Sequence, residues 1–318
     1  MSVKPANFFE VGDGTFAGDN AGGKLISPHY TVVLEDVLVT DRVPADVATG
    51  LDLGDGPVAA ADGYEMMLVK LSPDDNIWTD NGSPLLKGVS AAIRIDDRDV
   101  KLEKLPDSVT SVAMSVPKGK PVSLRVTDAG RTQSLNLRDG KPGPDVHPGF
   151  ADIVSGSLSI DYRKSGTASS AGGYRRPLEV TVRLYNASRH PWTPQTGWAK
   201  DGRRWVYLGG LSISSDGSIF DLAKREFSAE YKLDIAKTFT LQLPDGTSIR
   251  PVKGGTVNTF VSVVQNLPPL VFDVPATFIT GKLRIAPDGQ IAAQWRDGDQ
   301  PASWTKKPPA QEYPIKLG

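Results

Sequence analysis

Four aromatic rings and four cationic side chains crowd into one short stretch of this sequence. SRHPWTPQTGWAKDGRRWVYLGG, residues 188–210, holds Trp192, Trp198, Trp205 and Tyr207 among Arg189, Lys200, Arg203 and Arg204. Indoles beside guanidinium groups are the composition of protein-binding hot spots and of platforms on which sugar rings stack. The same content also caps the open end of a β-sandwich, with the indoles filling core and the arginines covering them. The candidate binding residues are therefore Trp192, Trp198, Arg203, Arg204, Trp205 and Tyr207, and the ligand they suit is a protein surface or a glycan. Nucleic acid is not expected, because the basic residues are few and the rest of the chain is not basic.

Catalytic and metal chemistry find less to work with. Cysteine is absent, which removes disulfides, thiolate metal sites and a thiol nucleophile. The three histidines, His29, His147 and His190, fall in an arm, a linker and a loop, with no HExxH or i,i+4 pairing. They read as solvated loop residues rather than ligands or bases. GVSAA and GLSIS lack the second glycine of a nucleophile elbow, and no glycine-rich loop ends in GK[ST]. Three acidic groups remain: Asp74–Asp75–Asn76, Asp96–Asp97–Asp99, and Asp216 with Asp221. Oxygen-rich loops of this kind either hold Ca²⁺ or cap turns, and their spacing matches no EF-hand. The expectation is a non-enzymatic protein with no cofactor and no metal.

The bulk numbers agree with a globular, partner-neutral chain. Its 318 residues carry a formal charge of −1 and a pI near 6.3, so no global field draws it to nucleic acid or an anionic membrane. No apolar run reaches the length of a membrane span, and MSVKPANFFEVGDG lacks the basic start and apolar centre of a signal peptide. The sequence leaves two settings open: a protein that works where it is made, or an exported domain whose signal or anchor is missing from this chain.

Organisation is read from hydrophobic alternation. PVSLRVTDAGRTQSLNLRDG (121–140) and PLVFDVPATFITGKLRIAPDG (269–289) each alternate, break, alternate again and stop at Asp-Gly. Leu124 falls on Phe272 and Leu135 on Leu283, so each copy reads as two adjacent antiparallel strands. TVVLEDVLVTD (31–41) shifts its alternation near Glu35–Asp36, which predicts a bulge. GYEMMLVKLS (63–72) is apolar almost throughout and predicts a central strand, after a polar loop over 44–62. Trp78 anchors a turn-rich segment, and 88–105 predicts a hairpin turning near Asp96–Asp97. GSLSIDYRKS (156–165) and RPLEVTVRLYNAS (176–188) repeat the order of 31–41 and 63–72, and 239–252 repeats the hairpin.

The predicted fold class is all-β, two tandem immunoglobulin-like β-sandwich units, the second with an insertion containing a short helix. The predicted layout is an extended arm over 1–27, a first sandwich over 28–140 and a Pro/Gly linker over 141–149. A second sandwich follows over 150–298, with an aromatic and basic insertion at 188–236, and then a Pro-rich tail over 299–318. Within the insertion, Phe220, Ala223, Phe227 and Tyr231 recur at spacings of three and four, which predicts a helix around 219–232.

VVLEDVLVTD followed by YEMMLVKLS, and SLSIDYRK followed by LEVTVRLYNAS, resemble exported immunoglobulin-like β-sandwich proteins of actinobacteria. In that pattern the apolar strand ends at Asn, as at Asn186, whereas the first copy has Ser72 after Leu71. The resemblance implies a non-enzymatic interaction or scaffold protein, extracytoplasmic, in the cell envelope or secreted, and it transfers no catalytic residue. Its partner would be a protein or a cell-surface glycan. A carbohydrate-binding module built on the Trp-rich loop and a structural protein of a virion or tail-like particle are the alternatives.

Overall fold

The computed structural model describes all residues except 75–87, 151–152, 171–174, 217, 221–225, 260–264 and 296–297. Almost all of the regular structure is β, and the chain divides into two compact units, Met1–Phe150 and Ala151–Gly318.

In the first unit the chain runs β1 (Ser2–Lys4), β2 (Phe9–Gly12), β3 (Asp19–Ile26), β4 (Thr31–Thr40) and β5 (Arg42–Val43). It continues through α1 (Ala45–Gly50), β6 (Val58–Ala60), β7 (Tyr64–Asp74), β8 (Ser90–Ile95) and β9 (Arg98–Lys101). β10 (Thr110–Pro117), β11 (Val122–Asp128) and β12 (Arg131–Asn136) complete it. A five-stranded sheet, β2-β10-β7-β4-β3, faces a four-stranded sheet, β12-β11-β8-β9. Between them lies one core, with Val32, Leu34, Met67, Val69 and Met114 from the first sheet and Ile93, Leu124, Val126 and Leu135 from the second. The bulge predicted in β4 is present as a register shift between Leu34 and Asp36.

The other face of β7 is buried as well. Met66 and Leu68 join Ala113 in a second core closed by Phe16, Val43, Ala48, Leu51, Leu53 and Val58. The segment expected to be a polar loop therefore contributes a helix and a short strand to a third layer. Burial on both faces is the physical reason β7 reads as continuously apolar.

Two further expectations fail here. The N-terminal arm contributes β1, β2 and β3, the last two as the outer strands of the five-stranded sheet. Its glycines misled the reading: a Cβ on Gly23 would lie 2.5 Å from Gly140 Cα, so the glycine permits close backbone approach rather than freedom. The predicted linker packs along β12: Pro142 bridges Leu135, Ser134 N and Oγ both donate to Asp145 Oδ1, and His147 is buried.

The second unit begins with a long hairpin, β13 (Val154–Ser170) and β14 (Arg175–His190). Then come β15 (Trp192–Thr193), β16 (Gly197–Trp198), β17 (Arg203–Gly209), β18 (Ser212–Asp216), β19 (Ser218–Phe220) and β20 (Glu226–Asp234). After α2 (Ile235–Thr238) follow β21 (Phe239–Gln242), β22 (Ser248–Ile249), β23 (Thr256–Thr259), β24 (Gln265–Asn266) and β25 (Leu270–Pro275). The last strands are β26 (Thr280–Ile285), β27 (Gly289–Trp295), β28 (Gly298–Lys306) and β29 (Gln311–Lys316). An eleven-stranded sheet packs on a four-stranded one, β22-β21-β26-β29. Their shared core includes Tyr162, Val182, Leu184, Val206, Phe272, Leu241, Leu283 and Ile315.

Within the large sheet the pairings, together with the chain step from β18 to β19, lead from β14 back to β13. β14 pairs β13 on one side and β18 on the other. β18 passes after one residue into β19, which pairs β20; β20 pairs β27, β27 pairs β28, and β28 returns to β13.

The helix predicted around 219–232 is replaced by strand at both ends, β19 and β20. Tyr231 and Leu233 are fully buried two residues apart, so the period that counts is two, not 3.6. Residues 221–225, with the predicted Asp221 and Ala223, lie outside the described residues. The helix that does form is the short α2, capped by Asp234, whose side chain accepts from Lys237 N. The Pro-rich tail is corrected too: β28 and β29 are sheet strands, and Ile315 and Leu317 are buried. Pro314 fits because β29 is an edge strand, where a missing N–H breaks no ladder.

The four-stranded sheets of the two units carry comparable rows of paired residues. One row of paired residues reads Leu135–Leu124–Ile93–Val100 in the first unit. Its counterpart reads Tyr313–Leu283–Leu241–Ile249. In these rows Leu283 stands between two partners as Leu124 does, within LRI at 283–285 and LRV at 124–126. β11 and β12 form the expected hairpin across Ala129 and Gly130, both at positive φ. β25 and β26 do not: β25 pairs β17 in the large sheet while β26 pairs β21 and β29. Alternation with a period of two is the same in every strand, so apolar positions match whichever strands are aligned.

The second layer on β7 has a measurable consequence. Leu68→Ala, on the face away from the main core, should cost about 2–5 kcal/mol in chemical unfolding. A change within about 0.5 kcal/mol would show that face to be uncovered.

Candidate functional site

The aromatic stretch begins where β14 ends. After Pro191 the chain turns through a two-stranded ribbon in which Trp192 and Trp198 are direct cross-strand partners. The ribbon is pinned at both ends: Thr196 N bonds to Thr193 Oγ1 in its turn, and Ala199 N donates to Pro191 O at 2.7 Å. Gly197 and Gly202 take positive φ, which their turns require and a β-carbon resists. The chain then enters β17, which lies between β14 and β25.

Alternation along β17 divides the candidate residues between two faces. Val206 and Leu208 enter the main core, and Arg204, in step with them, is buried with Nη1 donating to Arg203 O at 2.8 Å. Trp205 faces the ribbon, where its indole N–H donates to Gly197 O at 2.9 Å. With Ala199, Val271 and the flanking Tyr207 it makes a small separate core. Arg203 is bound to Asp273, Nε to Oδ1 at 2.8 Å and Nη2 to the backbone carbonyl at 2.9 Å.

All six candidates therefore belong to one neighbourhood, and most of it faces inward. Trp192 is 6 % exposed and Trp205 9 %; Trp198, Arg203 and Tyr207 are half-buried. A sugar ring stacks on an open aromatic face, and the two most buried indoles offer none. The ribbon instead covers the outer face of β17 and β25. Arg189, at the end of β14, is also buried, and its Nη1 donates to the carbonyls of Ala276 and Phe278 at 3.0 and 2.6 Å. It holds the chain where it crosses from β25 to β26. Asp273, the anchor of Arg203, carried no sequence signal, because its register against β17 is long-range.

None of the histidines is the solvated loop residue expected. His190 is 4 % exposed, 2.6 Å from Ser188 Oγ through Nε2 and edge-on to the Tyr207 ring. Burial holds it down at a pKa of about 4, so it is neutral at pH 7. His147 accepts from Gly149 N at its Nδ1.

His29 forms the one constellation missed entirely. Its backbone N donates to Asp128 Oδ2 at 2.6 Å and its Nδ1 lies 2.7 Å from Oδ1. Ser27 Oγ reaches the same carboxylate at 2.8 Å and Tyr30 O at 2.7 Å. A histidine oriented by a buried carboxylate is the second half of a hydrolase triad. Here the serine hydroxyl bonds to the carboxylate and to a backbone carbonyl, and the group works as a clamp. It ties the turn between β3 and β4 to the tip of the β11–β12 hairpin, and so one sheet to the other.

The described aspartates of the first two acidic groups are met by cations. Asp99 lies 2.9 Å from Arg125 and 3.5 Å from Arg94, Asp97 lies 3.7 Å from Arg94, and Asp96 lies 3.8 Å from Lys120. Asp74 pairs with Lys24; Asp75, Asn76, Trp78 and Asp221 lie outside the described residues. Among the described residues no cluster of three or more His, Asp or Glu side chains could hold a metal ion, and no helix is long and apolar enough to cross a membrane.

Two outcomes follow. The unfolded chain takes up a proton on His190 near pH 6.5, whereas the folded chain resists until about pH 4. Stability is therefore complete above pH 6.5 and falls as pH drops to about 4, by roughly 3 kcal/mol, then levels off. His190→Gln should flatten that part of the pH profile of unfolding. Trp205→Ala should lower the melting temperature, at about 3–5 kcal/mol, because its ring is core; an unchanged melting temperature would mark it as a free binding residue. No protein-family model, curated protein or solved structure matches the chain.

Proposed function

We propose that the protein is a non-enzymatic interaction or scaffold module, with two tandem immunoglobulin-like sandwiches as its frame. The observation that supports this reading most is where its polar side chains with catalytic potential are engaged. Asp128, His29 and Ser27 join two sheets. Arg189 holds a crossover, and Arg138 pairs with Glu65 at 2.7 Å. Each is engaged in fastening strands, which suits a rigid display frame better than a reaction centre. An extracytoplasmic setting, in the envelope or medium, rests on the strand-pattern resemblance alone.

The aromatic ribbon enters this reading as a stiffening cap, with the half-buried faces of Trp198 and Tyr207 and the Arg203–Asp273 pair at its surface. A protein partner suits that mixed surface. A glycan would have only those two partial ring faces to stack on.

Two measurements test the proposal. Fractionation of the native source, followed with an antibody, should recover the protein in the envelope or medium together with a protein partner. Recovery solely as free cytosolic protein would overturn it, and co-sedimentation with large particles would favour a virion or tail component. Titration of soluble glycans against tryptophan fluorescence should leave the emission unchanged. A saturable shift abolished by Trp198→Ala would instead establish a carbohydrate-binding module.

A further inference from the structure

The four-stranded sheet of each unit turns one face to the core and leaves the other open, and in both units the open face carries a groove. In the first unit it measures about 220 Å³ and is polar, with Lys101, Arg125 and Asp99 among Ser90, Thr127 and Thr132. In the second unit it measures about 530 Å³ and spans β21, β26 and β29. There its exposed apolar lining comes from Pro244 and Pro314, and its charged lining from Lys282 and Lys316.

The charge on this lining is one-sided: it holds two lysines and no carboxylate. Lys282 reaches Glu312 at 3.3 Å, with both side chains about half exposed, a pair weak enough to exchange partners. Lys316 is exposed and has no ion-pair partner among the described residues. Asp245, in the adjoining turn, is engaged with Thr247 N. The spacing of the lysines is set by register. Lys316 pairs across from Thr280, two residues from Lys282 on the same strand. Diagonal neighbours of this kind are about 7–8 Å apart. Alternate side chains on one face of an extended peptide are spaced at about 7 Å.

We propose that this groove binds an extended acidic peptide segment of a partner protein. Two carboxylates at alternate positions meet Lys282 and Lys316, and an aliphatic side chain two positions further along lies against Pro244. A single small anion would leave the apolar lining uncovered. Nucleic acid would lack both a basic track and an aromatic platform on this lining. The inference goes beyond the scaffold role and does not involve the aromatic ribbon, so either can fail alone.

The test uses the full chain and a fluorescein-labelled heptapeptide with glutamate at its second and fourth positions and leucine at its sixth. Anisotropy should show saturable binding, weakened at least about tenfold by the double variant Lys282→Glu, Lys316→Glu. Thr280→Trp, which fills the groove without altering charge, should weaken it as well, and the counterpart peptide with lysines should not bind. All three substituted positions lie on the open face, and unchanged unfolding curves would confirm that the variants fold. Absence of saturable binding up to about 1 mM peptide overturns the proposal. So does binding that neither variant alters.

Discussion

Over its middle, from Met66 to Val69, strand β7 has no face for water, and much of the first unit follows from that. Met67, Val69 and Leu71 point into one core and Met66 and Leu68 into the other, all fully buried. Each such side chain contributes about 1.5–3 kcal/mol only if its side of the strand is covered. The four-stranded sheet covers one side. The other needs α1, β5, β6 and the ring of Phe16, a layer from a region whose composition is that of a loop. β14 in the second unit answers to a different constraint. Val180, Val182 and Leu184 are buried while Thr181, Arg183 and Tyr185 reach solvent, so one covering sheet suffices along most of its length. Only at its end, from Ala187 to His190, does the outer face need a lid, and the aromatic ribbon supplies it.

Buried polar groups then fix which strands meet. A carboxylate as enclosed as Asp128, 1 % exposed, is tolerable only where donors surround it, and the turn from Ser27 to Tyr30 delivers them. Arg189 works the other way round, a buried cation whose Nη1 donates to two carbonyls at a sheet-to-sheet crossing. Apolar packing alone would accept several registers, since a slip of two residues restores the same alternation. Directional contacts of this sort do not.

Local pattern carried the strands whose environment is imposed by their own residues. The two-sided burial of β7, the bulge in β4 and the hairpin turning at Asp96 all show in the order of side chains. What stayed hidden depends on distant residues. Gly23 looks like linker until Gly140 is known to lie against it. Pro314 looks like a strand breaker until β29 is known to be an edge. The histidines looked solvated because their burial comes from residues far along the chain or from a lid that folds back. For the aromatic stretch, composition was readable and orientation was not. Sequence could place Trp192 and Trp205 near one another, but only the register of β17 against β14 and β25 and the ribbon over it turn them away from solvent.

The path of strand pairings in the second unit has a bearing on time as well as on shape. β13 and β14 meet as a hairpin soon after both are made, yet β13 cannot complete its other edge until β28, more than a hundred residues later, arrives. β14 meanwhile gains β18 early. Closing a loop of that size sets a large entropic toll before any contact repays it. During synthesis the growing unit must therefore hold an unsatisfied edge of β13 in water for as long as the intervening chain takes to emerge. An exposed edge of that kind recruits other strands. The architecture that finally leaves this hairpin paired on both sides is, on the way there, the one that makes it most dependent on protection.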